Sequence, residues 1–208
     1  MARAGRDFHG NPGEVRLWTN ARLHASRLPE AAAVNRAILD VFVGLGEKDF
    51  SRRTHFFGGR FENLYLEPDR IPALAVVLRH AENCAGKILK YGPASLRSGF
   101  WLNAQGPGQS TSEHTHDELD ELLSGVYYVK APPRSGDLVL RDGCFRVRAT
   151  PEAGMFLFFP PNLSHRVETN RSGEQRLSIA FNFGPGDAID SRAASPWTDQ
   201  KSAGPFPP

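Results

Sequence analysis

Arg176-Leu177-Ser178-Ile179-Ala180-Phe181-Asn182-Phe183 is the stretch that decides how this chain is read. Side chains of a strand alternate between two faces, so residues two apart share one. Leu177, Ile179, Phe181 and Phe183 therefore make a core face. Arg176, Ser178, Ala180 and Asn182 make the other, a mix of cation, hydroxyl, methyl and amide that suits the inside of a small barrel around a polar ligand. A guanidinium facing such an interior needs an anionic partner, because an unpaired buried charge is costly. Its planar fork matches a carboxylate bidentately. Taken alone, an exposed arginine on an edge strand is the simpler reading, and the histidines upstream change that balance.

Six further β-rich runs precede this one, which spans 175–183. They lie at 99–105, 124–131, 137–140, 144–149, 155–159 and 165–169, with Pro132-Pro133, Arg141-Asp142-Gly143 and Arg171-Ser172-Gly173 as turns. Seven short strands at this spacing imply a sandwich or barrel. Upstream, Ala33, Val34, Ala37, Ile38, Val41 and Phe42 have helical spacing, which predicts a helix over 29–45 that ends near Gly46. Leu74, Val77, Leu78, Ala81, Cys84 and Ile88 predict a second over 71–89, ended by Gly92-Pro93. Val15, Leu17 and Trp18 suggest a short strand. Residues 47–69, with Phe56-Phe57-Gly58-Gly59-Arg60, read as a loop or short irregular strands, and residues 1–12 as loose. The expected architecture is mainly β with flanking helices, one domain over 1–208. Helical support occupies about 15–95, a β-barrel core about 98–184 and a Pro/Ser-rich tail 185–208.

The bulk properties limit the function. With 208 residues, 40% hydrophobic and 23% charged, the chain has the composition of a soluble globular protein. A net charge of +2 does not point to nucleic acid or a membrane surface. No window approaches the roughly 18 apolar residues of a membrane span, and no apolar run follows the charged N-terminus as in a signal peptide. Cys84 and Cys144, the only cysteines, read as reduced thiols, and the expected location is cytoplasmic.

Three of the seven histidines fall in or beside the β half. His114-Thr115-His116 puts two imidazoles on one face of an extended segment, where they can grip one metal ion. His165, after the turn Pro160-Pro161-Asn162, is the natural third ligand. An H-x-H pair alone is weak, and a lone histidine is more often structural. The Arg176 strand eleven residues on makes the combination specific.

The set resembles the iron(II)- and 2-oxoglutarate-dependent dioxygenases, and more closely a bacterial group of uncharacterised members. The likeness is carried by His114-Thr115-His116, Ser124-Gly125-Val126-Tyr127-Tyr128-Val129, Gly154 leading to Phe158-Phe159-Pro160, His165-Arg166-Val167 and Arg176 to Asn182. It covers 98–184 well and the helical half loosely. The resemblance implies a double-stranded β-helix, a jelly-roll or cupin-like barrel. It implies Fe(II) on His114, His116 and His165, with 2-oxoglutarate held at its far carboxylate by Arg176 and Ser178. O2 would be the oxidant, and an unidentified substrate would be hydroxylated with release of succinate and CO2. Tyr128 or Tyr127 could donate to the 2-oxoglutarate carboxylate; the two alternate faces, so only one points inward. Asn103 could line the pocket, His55 and Arg60 could form a lid or substrate contact, and Trp101 reads as core.

One position departs from the wider pattern. His116 stands where that superfamily usually has a carboxylate. A second register, His116 and Glu118 with His165, would restore two histidines and a carboxylate. Two rival readings share the barrel: a cupin-type metalloprotein without 2-oxoglutarate, for which Arg176-Leu177-Ser178 has no use, and a non-catalytic binding module. Assembly as a homodimer stays open.

Overall fold

The computed structural model describes residues 3–4, 16–18, 22–92, 95–116, 119–142 and 145–186. Strands β1 (Arg3–Ala4), β2 (Arg16–Trp18) and β3 (Leu23–Arg27) lead into helix α1 (Ala31–Phe42). The hairpin of β4 (Arg52–Phe57) and β5 (Arg60–Tyr65) precedes helix α2 (Leu74–Leu89). Eight strands follow: β6 (Leu96–Gln105), β7 (Thr111–His114), β8 (Leu123–Lys130), β9 (Leu138–Asp142), β10 (Phe145–Ala149), β11 (Met155–Phe159), β12 (Ser164–Val167) and β13 (Arg176–Pro185).

They form two sheets, β2-β3-β11-β8-β13-β6-β5-β4 and β1-β10-β9-β12-β7. Every pair is antiparallel except β1 with β10. The large sheet is covered on one face by the helices. Leu177, Ile179, Phe181 and Phe183 of β13 join Tyr127 and Val129 of β8, Phe156 and Phe158 of β11, and Ile38, Leu74, Val77 and Ala81 of the helices in one core. Its other face meets the small sheet, where Tyr128, Leu157 and Phe159 pack with Leu138, Leu140 and Leu163. The faces assigned to residues 176–183 by alternation are those observed. β11, buried on both sides, reads as the unbroken run Met-Phe-Leu-Phe-Phe.

Several expectations need correction. Residues 52–65, expected as a loop or short irregular strands, form a β-hairpin, with left-handed His55 (φ 57°) inside its first strand. Gly58 and Gly59, with φ of +56° and +80°, make the two-residue turn that a hairpin's twist requires. β3 and β7 have no counterpart in the sequence reading. Arg3 and Ala4, expected to be loose, pair with β10. Helix α1 starts at Ala31 because Glu30 is left-handed (φ 56°), and α2 starts only after Pro72, at Leu74. Strand ends otherwise agree within a few residues. The rest of 1–12, Val15, Pro93, Cys144 and the tail from residue 187 lie outside the described residues. Cys84 is a buried free thiol. No described helix is long and apolar enough to cross a membrane.

Candidate active site

The small sheet brings the three histidines together. β12 pairs with β7 so that His165 faces His114 directly. His116 lies just past the end of β7, fixed by its backbone N–H donating to Pro161 O at 2.8 Å. One ligand atom from each of His114, His116 and His165 lies within 4.8 Å of the others, a spacing that one metal ion can bridge. Two of the tautomers are set by the backbone: Nδ1–H of His114 donates to Ser112 O (2.9 Å) and Nδ1–H of His165 to Leu163 O (2.8 Å). Nε2 of each is left with its lone pair for a metal. Burial, then the neighbouring imidazoles, lowers the pKa of His165 to about 4 and that of His116 to about 2, so both are neutral and ready to ligate near pH 7. Asp117 and Glu118 lie outside the described residues, and with them the alternative carboxylate register.

Below the histidines, between the sheets, an inner chamber of about 60 Å³ is lined by His165, Tyr128, Asn103, Ser178 and Arg176. Register explains the convergence, since Ser178 stands between Asn103 of β6 on one side and Tyr128 of β8 on the other. Arg176 is 2% exposed. Its Nη1 donates to Gly136 O at 3.1 Å, its Nε has no hydrogen-bond partner, and no described carboxylate lies in ion-pair range. Its guanidinium carbon sits 5.8 Å from the centre of the Tyr128 ring. Burial pulls the guanidinium pKa down, which marks a charge short of a counter-ion. Gly136 is required here. Its φ is +96°, and a Cβ would meet Glu168 O at 2.1 Å.

The choice between the tyrosines is resolved by pleat. Tyr127 points to the helices and donates to Asn35 Oδ1 at 2.6 Å. Tyr128 faces the chamber, and burial raises its pKa to about 12, so it is a neutral donor. Asn103 lines the same chamber, but its amide is engaged by Glu62 O (2.5 Å) and Asn63 Oδ1 (3.1 Å).

An outer chamber of about 190 Å³ lies on the other side of His114 and His116, which line both. The hairpin supplies Arg52, His55, Glu62, Asn63 and Tyr65, and the segment before β8 supplies Leu119 and Glu121. Of these, only His55 is expected near the site from the sequence; the acidic run through Asp120 and Glu121 reads there as a solvated loop, whereas Glu121 lines the chamber with Oε2 closed to solvent, and no motif links the others. His55 lines this chamber, whereas Arg60 is tied to Glu62 (3.6 Å) and Ser110 O (3.2 Å). Trp101, read as core, is only 5% exposed yet forms a wall of both chambers, edge-on to His116 with ring centres 5.6 Å apart.

Comparison with known proteins agrees with this geometry. Residues 141–182, which contain His165, Arg176 and Ser178, match the family model described as "Putative 2OG-Fe(II) oxygenase". No curated protein matches by sequence. A Pseudomonas putida prolyl-4-hydroxylase superposes with TM-score 0.61 at 18% identity, over 79% of this chain and 92% of that one. A Burkholderia pseudomallei oxidoreductase of the 2OG-Fe(II) oxygenase family gives 0.57 at 17%, over 82% and 88%. AviO1 from Streptomyces viridochromogenes Tue57 gives 0.58 at 14%, over 81% and 91%. At such identities the likeness is one of fold, and the fold of this chain is the double-stranded β-helix.

Proposed function

We propose that the chain is an iron(II)- and 2-oxoglutarate-dependent oxygenase that hydroxylates a substrate bound in the outer chamber. The observation that carries the reading is Arg176, a buried cation without a carboxylate partner at the floor of a chamber whose roof is three histidines. A ligand with a carboxylate at one end and metal-chelating oxygens at the other answers both needs. The partial family match adds to this.

His114, His116 and His165 would hold Fe(II), and Arg176 with Ser178 would hold the far carboxylate of 2-oxoglutarate. When bound, iron and cosubstrate supply the oxidation, in which O2 and 2-oxoglutarate become succinate, CO2 and one hydroxyl group on the substrate. The chain's own residues orient and exclude. The carbonyls of Ser112 and Leu163 fix two imidazole tautomers, while Tyr128, on the chamber wall, would donate to the 2-oxoglutarate carboxylate. Trp101 closes the side of the site against water. Three neutral ligands leave the double charge of the metal uncancelled, so the dianionic cosubstrate brings the balancing charge. A three-histidine set also suits a cupin-type metalloprotein, but that reading leaves Arg176 without a role. The buried free Cys84 supports a cytoplasmic setting.

The test is oxygen-dependent conversion of 2-oxoglutarate to succinate with added iron(II), with substrate or uncoupled. The expected result is turnover that vanishes in His165→Ala. No succinate from iron-loaded protein under any substrate condition counts against the proposal.

A further inference from the structure

The outer chamber holds two opposite charges that do not pair with each other. The Arg52 guanidinium lies 4.1 Å from the centre of the Tyr65 ring, half-buried, with no ion pair among the described residues. Oε2 of Glu121 is shut off from solvent and has no hydrogen-bond partner. Glu62, the chamber's other carboxylate, is already faced by Arg60 at 3.6 Å. A half-buried cation stacked on a ring, and a carboxylate oxygen closed to solvent without a partner, suit a ligand that brings the complement. Here the complement is one anion and one cation on the same small molecule. In the same chamber Trp101 and Tyr65, with ring centres 6.1 Å apart, give an apolar wall for a carbon skeleton. The volume, about 190 Å³, exceeds the ~150 Å³ cavity that admits benzene, and so suits roughly the six to ten non-hydrogen atoms of a free amino acid.

Resting on the reading of the three histidines as the metal site, we propose that the substrate is a free, zwitterionic amino acid. Arg52 holds its carboxylate, Glu121 its ammonium, and its side chain lies along Trp101 toward His116. A peptide would offer these two residues only neutral amide groups and would leave both charges uncompensated.

Calorimetry of the full chain with each of the twenty free amino acids, with and without iron(II) and 2-oxoglutarate under anaerobic conditions, tests this. At least one should bind, and its N-acetyl and carboxamide derivatives should each bind at least tenfold more weakly. Glu121→Gln should abolish discrimination against the N-acetyl form, and Arg52→Gln discrimination against the amide. Failure of all twenty to bind overturns the proposal, as does equal or tighter binding of doubly blocked, peptide-like derivatives. 2-Oxoglutarate binding without amino-acid binding defeats this inference alone. Amino-acid binding without 2-oxoglutarate binding defeats the cosubstrate assignment alone.

Discussion

Replacing Arg176 by methionine separates the cost of the site from its use. In the free protein the guanidinium is 2% exposed, holds one backbone acceptor at 3.1 Å and faces the Tyr128 ring at 5.8 Å. Losing a hydrogen bond from a charged group costs about 1.5–3 kcal/mol, and losing the ring contact about 1 kcal/mol. Against this stands the desolvation of an unpaired cation, several kcal/mol even after relaxation, which methionine of similar length removes. The balance makes ligand-free Arg176→Met at least as stable as wild type, with a gain on the order of 1 kcal/mol, or about 2–4 °C in Tm for a domain of this size. Adding 2-oxoglutarate to the metal-loaded protein at about 100 times its Kd stabilises wild type by about 2.7 kcal/mol and leaves the variant unmoved. Thermal unfolding with and without 2-oxoglutarate reads both effects. A variant that melts well below wild type and still responds to 2-oxoglutarate refutes the reasoning, because Arg176 would then be a compensated structural residue.

Three further predictions follow from the same geometry. His114→Ala, His116→Ala and His165→Ala each weaken iron(II) binding by more than about 100-fold, beyond the 10–100-fold cost of losing an outer-shell partner; metal analysis after dialysis checks this, and metal retained in His114→Ala but lost in His116→Ala would return attention to the register of His116 and Glu118 with His165. Gly136→Ala destabilises by about 2–4 kcal/mol, from a left-handed backbone and a carbonyl 2.1 Å from the new Cβ; denaturant melts that differ by less than 1 kcal/mol would contradict it. His165, lowered from 6.5 to about 4, binds its proton more readily when unfolded, so its share of stability is complete above pH 6.5 and is lost as pH falls toward 4. The metal-free protein loses about 2 kcal/mol between pH 7 and 5 from this group alone, with His116, His24 and His80 shifted in the same direction; a flat stability profile over that interval would rule it out.

What the sequence disclosed depended on how strongly each segment alternates. β13 has one apolar and one polar face, so the pattern identifies both its core side and its ligand side. Tyr127 and Tyr128 alternate equally well, and only the packing of α1, through Asn35, decides which turns outward. β7 escaped notice because Thr-Ser-Glu-His is short, polar and half-exposed, with no apolar face to reveal it. The hairpin lacks a buried stripe, although Gly58-Gly59 was a legible turn signal. Arg52, Tyr65 and Glu121 meet only through the sheet, so no spacing in the chain could place them in one chamber.

The central claim is that His114, His116, His165 and Arg176 hold the two ends of one cosubstrate. Anaerobic titration of iron(II)-loaded protein with 2-oxoglutarate tests it most directly, with the visible charge-transfer band of an iron(II)–2-oxo-acid chelate as readout. The account predicts saturation at one equivalent per chain in wild type and no band at the same concentration in Arg176→Met. Iron(II) bound at full occupancy with no 2-oxoglutarate binding at millimolar concentration would contradict it.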